Sequence, residues 1–155
     1  MLANSTGNPS LPNSVAPAAL IQNPLTCIMP IKSPQDYQAL VKLLPSAHDQ
    51  ITAALDAIGT VHFARFIFLQ NNTQLGIITD YDGDFAKYIS DFATYIGPIF
   101  DAMFAHIADA PPLPVKKNTE AFIEYVRQHD LPSVRFYSAY PSLSVIEIRH
   151  LSTSA

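Results

Sequence analysis

The chain has 155 residues, 48% of them hydrophobic and 14% charged, with 9 Lys and Arg against 13 Asp and Glu for a formal net charge of -4. The length suits one domain and leaves little room for a second independent core, and the acidic balance excludes the basic footprint that nucleic acid or an anionic membrane surface requires. So few charges around so much apolar surface point to a covered face, and hence to a homodimer.

In chain order, residues 1–23 are rich in Asn, Ser, Pro and Ala and read as a flexible leader to a single domain over 24–155. Leu25 to Ile31 is apolar and suits a strand, with Pro30 marking an edge or a bulge. Cys27 within it is the only cysteine, so it has no internal disulfide partner and reads as a buried thiol in a reducing, cytoplasmic setting. Ser33-Pro34-Gln35-Asp36 supplies an N-cap, a proline at the first helical position and an early acid. Pro45 breaks the helix that follows, and a second segment through Ile51, Leu55 and Ile58 stops at Gly59. Val61 to Leu69 and Gln74 to Tyr81 form an antiparallel hairpin across Asn71-Asn72. From Phe85 to Ile107 the apolar residues keep one helical stripe, which Gly97-Pro98 should kink. Thr119 to His129 is a shorter helix, and Val134 to Tyr140 has the composition of a last strand. Ser144 and Glu147 have the spacing of a capping box, which tips 144–151 towards a terminal helix. No apolar run approaches the roughly 18 residues of a membrane span, and the N-terminus lacks the pattern of a secretory signal.

The order strand, helix, strand, strand, helix, strand is the ferredoxin-like βαββαβ arrangement, with extra short helices, in an α+β fold. Its helices cover one face of an antiparallel sheet, yet both faces of Val61 to Leu69 are apolar. Burying each Phe or Ile is worth roughly 1.5 to 3 kcal/mol, which favours sheet-to-sheet association of two copies. The element order over residues 24 to 140 resembles the dimeric α+β barrel superfamily, which includes small cofactor-independent monooxygenases and dye-decolourising peroxidases. The distal G-x-x-D-G motif of those peroxidases has its nearest counterpart in Thr79-Asp80-Tyr81-Asp82-Gly83, without the first glycine. The resemblance implies oxidoreductase or isomerase chemistry in a barrel pocket and, as its less favoured branch, a haem cofactor on His62 or His106.

The chemistry-bearing residues each carry two readings. Arg65 shares its strand face with Val61, Phe63, Ile67 and Leu69, where a guanidinium needs an anion from Asp80 or Glu147. It reads as a clamp for an anionic ligand group or as an interface ion pair. His62 has the chemistry of a general base, as Asp80 does, but strand alternation puts His62 on the face opposite Arg65 unless a bulge intervenes. Asp82 or Asp84 should cap the long helix, which accounts for the acidic turn more simply than calcium. Tyr88, Tyr95 and Tyr137 are candidates to line an aromatic ligand pocket, against the commoner place of tyrosine at a core edge. No two histidines have zinc-ligand spacing, and no hydrolase, nucleotide or dinucleotide motif is present. A small-molecule-binding protein with His62 and Asp80 as proton carriers is therefore the first expectation. A non-catalytic carrier or interaction protein is the alternative.

Overall fold

The structure, a computed structural model, describes residues 20–154. The leader expected over 1–19 lies outside them, while Gln22 and Asn23, assigned to it by composition, begin the first strand. Three strands form one antiparallel sheet: β1 (Gln22–Pro30), β2 (Val61–Leu69) and β3 (Gln74–Asp82), in the order β1-β3-β2. Between β1 and β2 run α1 (Pro34–Ser46) and α2 (His48–Ile58). After β3 come α3 (Phe85–Phe104), a 3-10 turn (Val115–Lys117), α4 (Thr119–His129) and α5 (Val145–Thr153). The architecture is α+β and ferredoxin-like, with one departure. Val134 to Tyr140 forms no strand; the segment is irregular, and Val134 is fully exposed.

Local chemistry accounts for the helices. The Ser33 side chain accepts from the Asp36 N–H and starts α1. Gly59, at φ 70°, takes the left-handed conformation that ends α2. In α3, Asp84 accepts from the Lys87 N–H, and Ile96 leaves helical geometry (φ -135°, ψ 27°) just ahead of Pro98, so the proline kinks the helix where its ring cannot fit. In α5 the capping box is complete, with Ser144 and Glu147 each bonding the other's backbone N–H.

The core lies between the helices and one face of the sheet. Leu25, Cys27 and Met29 of β1 and Leu75, Ile77, Thr79 and Tyr81 of β3 are buried there against Ile89, Phe92, Phe100 and Phe104 of α3 and Phe122 and Val126 of α4. Burial is the main force pushing the Cys27 thiol up to about 12, with Asp130 and Asp109 adding to it, so the thiol is inert. Along the opposite face run Thr26 and Ile28, Gly76 and Ile78, and Phe63, Arg65, Ile67 and Leu69, with no described element over the middle of it. The middle of this face is apolar apart from Thr26 and Arg65, Asp80 and Gln74 stand on it towards its two ends, and Phe63 is 74% exposed on it. A Cβ on Gly76 would stand 2.9 to 3.1 Å from side-chain carbons of Leu69, Ile67 and Ile28, so these three already close over the central strand.

Histidine–aspartate pairs tie distant segments together. His106 Nδ1 donates to Asp36 Oδ1 at 2.8 Å, and His129 Nε2 donates to Asp109 Oδ2 at 2.6 Å while the Tyr125 hydroxyl donates to Asp109 Oδ1 at 2.8 Å. The Ser33 bond, and then the His106 bond, hold Asp36 below the usual carboxylate range. Burial pushes Asp109 up, but the bonds from His129 and Tyr125 outweigh it and the net displacement is downward. A carboxylate lowered on folding contributes stability that is complete above its unfolded value and lost as pH falls through its folded one. The urea midpoint should therefore fall between about pH 4 and pH 2, and Asp109→Asn should flatten that fall. Asp80 and Asp130 are raised, so they act in the opposite sense at higher pH and do not mask the acid limb. An unchanged slope in Asp109→Asn would remove Asp109 from the account.

Candidate functional site

At the end of the sheet where β1 and β2 begin and β3 ends, the C-terminal segment folds over the face that the helices leave open. The junction encloses a cleft of about 920 Å³ whose wall includes Phe63, Asp80, His62, Gln22, Tyr137 and Tyr140. The space is in the range of small-molecule sites.

A β-bulge creates the sheet side of the cleft. Val61 opposes Tyr81 and Phe63 opposes Asp80, so His62 is the extra residue. Beyond it the parity of β2 shifts by one. His62 and Phe63 consequently both line the cleft, and Arg65 follows Phe63 on that same face of the strand. The separation of His62 and Arg65 expected from regular alternation is corrected by this one inserted residue.

His62 Nε2 donates to Asp82 Oδ1 at 2.6 Å, and Asp82 Oδ2 accepts the Val145 N–H at 2.8 Å. Both side chains are about nine-tenths covered. Asp82 thus pins the first residue of α5 to the sheet and orients His62. With Nε2–H committed to a carboxylate, the neutral imidazole keeps Nδ1 as its acceptor nitrogen. Gln22 anchors the other side. Its amide donates to the carbonyls of Tyr140 (3.0 Å) and Leu143 (2.9 Å) and accepts from the Ser138 hydroxyl at 2.6 Å. A buried amide so bonded holds residues 138–143 against β1.

Asp80 differs from Asp82. Burial raises its carboxyl above the usual range, the charges of His62 and Arg65 only partly offset this, and no hydrogen bond from the described residues relieves it. A carboxylate in this position is poised to take a proton or a cation.

The expected site residues divide accordingly. His62, Asp80 and Tyr137 line one cleft, and Arg65 stands on the same sheet face beside it. Arg65 is exposed and makes no ion pair among the described residues, which corrects the expectation of a partner in Asp80 or Glu147; Glu147 is bound instead to Ser144. Tyr88 is in the core, its hydroxyl donating to Thr79 at 2.8 Å and its ring stacked on Tyr81 at 3.9 Å. Tyr95 is half exposed on α3, and neither tyrosine reaches the cleft. Sequence reasoning missed Gln22, hidden in a stretch whose composition suggests a leader, and did not pair Asp82 with His62; the cap of α3 that it offered to Asp82 or Asp84 is made by Asp84. His106 is bonded through Nδ1 to Asp36 and does not line the cleft, and His62 Nε2 is committed to Asp82. No helix among the described residues is long and apolar enough to cross a membrane.

No family model matches the chain, and no curated protein is significantly similar to it. Among solved structures it is similar to a dimeric ferredoxin-like protein from an uncultured marine organism, at 10% identity and a TM-score of 0.37, over 77% of this chain and 94% of that one.

Proposed function

We propose that the protein binds a small, largely apolar or aromatic molecule in the cleft between the bulged end of β2 and the C-terminal segment, and that it does so as a cytoplasmic homodimer. One observation carries the binding reading. Aromatic side chains, His62 of the His62–Asp82 pair and the partly desolvated Asp80 carboxyl converge on a single cleft. The dimer rests on the apolar sheet face, where Ile28, Ile67, Leu69, Ile78 and Phe63 need cover, and the cytoplasmic setting suits the buried, unpaired Cys27 thiol.

The chemistry within reach is proton transfer of the isomerase type. His62, oriented by Asp82, offers a basic nitrogen, and Asp80 holds a raised carboxyl on the same wall. A panel of small aromatic acids and amines, screened by thermal shift, should yield ligands whose stabilisation is lost in the Phe63→Ala/Tyr137→Ala variant and kept in Tyr95→Ala. Equal stabilisation of all three proteins would overturn the cleft as the site. Bound molecules with an acidic C–H should then exchange it with D2O, and His62→Gln should slow that exchange at least tenfold while preserving binding.

One observation favours the carrier reading. His62 is about nine-tenths covered and its bond to Asp82 holds α5 in place, a structural duty it would have without catalysis. Binding without any exchange would select that reading.

A further inference from the structure

We infer that two copies of the chain stack by their open sheet faces in one register, with Arg65 of each protomer paired to the partner's Asp80 at the mouth of the cleft. The inference rests on the homodimer proposed above and adds to it the residues that define the interface and complete the site.

Four residues on the open face form a quadrilateral. Phe63 opposes Asp80 and Arg65 opposes Ile78 on the paired strands β2 and β3. Neighbouring strands stand about 4.8 Å apart and two residues advance about 6.8 Å along a strand, so exchange across a diagonal brings one corner to within about 3 Å, in plane, of the other. A two-fold axis lying in the interface along the Phe63–Ile78 diagonal leaves those two corners nearly in place and exchanges the other two. Phe63 then meets the partner's Phe63, and Ile78 meets the partner's Ile78. Arg65 comes to lie over the partner's Asp80, and by symmetry the contact occurs twice. With these spacings the strands of the two sheets cross at about 70°, nearer to the orthogonal than to the aligned way of packing two sheets.

Charge and exposure agree with this register. Arg65 makes no ion pair within the described protomer, and Asp80 is partly desolvated with no hydrogen bond from the described residues to offset the cost. One cation and one anion, neither in an ion pair among the described residues, thus share a largely apolar face, and the two-fold operation matches them. Phe63, 74% exposed in the protomer, acquires an aromatic neighbour. Asp80 and Phe63 also line the cleft, so the partner's Arg65 would close its mouth and neutralise its wall.

Sedimentation equilibrium of the full chain and a charge-swap cycle test the inference. Arg65→Asp and Asp80→Arg should each raise the dimer dissociation constant at least tenfold, and the double swap should return it to within a few-fold of the parent. A double swap no tighter than the weaker single variant, or single variants that dimerise like the parent, would overturn the pairing and leave the dimer standing. A monomeric parent would instead overturn the dimer itself. If circular dichroism shows Asp80→Arg to be unfolded, Arg65→Gln and Asp80→Asn replace the swaps. Coupled residues then give a double variant no weaker than either single one, and strictly additive losses contradict the pairing.

Discussion

Asp82→Ala is expected to destabilise the protein by about 2 to 4 kcal/mol and to release α5 from the sheet. The carboxylate serves two donors at once, His62 Nε2–H and the Val145 N–H, and both side chains of the histidine pair are largely shielded from water. Each buried donor left without an acceptor costs roughly 1 to 3 kcal/mol. The damage should be directional. A nine-residue helix is marginal on its own even with an intact capping box, so once unpinned it frays and takes one wall of the cleft with it. Urea unfolding measures the loss, and amide exchange locates it. Asp84→Ala is the control, because it removes a helix cap elsewhere at a cost of about 1 kcal/mol. If Asp82→Ala loses under 1 kcal/mol and α5 keeps its protection, the His62–Asp82–Val145 chain does not organise the site.

Phe104→Ala should cost more, about 3 to 5 kcal/mol. The ring is 1% exposed, and it meets Phe122 at 5.6 Å and Tyr125 at 5.3 Å between centroids, both edge-on, with Phe100 at 6.0 Å. These contacts join α3 to α4. Phe104 also borders a small apolar void with Phe100, Phe122 and Val126, so its removal enlarges an existing gap that the neighbours have not closed. A fall in melting temperature of about 10 °C or more follows for a chain of this size. Phe63→Ala is the counterpart on the open face and should leave protomer stability within about 1 kcal/mol, because that ring has little protein around it to lose. Equal losses for the two would contradict the placement of the core on the helix side alone.

The difference between these two phenylalanines marks where the sequence was legible. Periodicity and caps located the hairpin, the kink before Pro98, both ends of α4 and the capping box of α5, because each depends on residues a turn or less apart. What depends on distant segments was not visible. Val134 to Tyr140 has a strand's composition but no place in the ladder. From Asp130, bridged to Cys27, to Pro141, bonded to Ile21, the chain advances eleven residues while β1 advances six. The surplus must loop out, and the Gln22 amide takes the carbonyls of Tyr140 and Leu143. His62 and Asp82 were legible as separate residues, but their meeting depends on one inserted residue in β2, which no local pattern announces. Arg65 was expected to be buried by its apolar neighbours, although those neighbours line the face that the protomer leaves open.

Native mass spectrometry of the gently purified full chain, set against its denatured mass, tests the central claim most directly. The account predicts a dimer carrying one small-molecule adduct per protomer, lost on denaturation and absent from Asp82→Ala. A bare monomer, or a bare dimer that takes up none of the aromatic acids and amines offered to it, would contradict it.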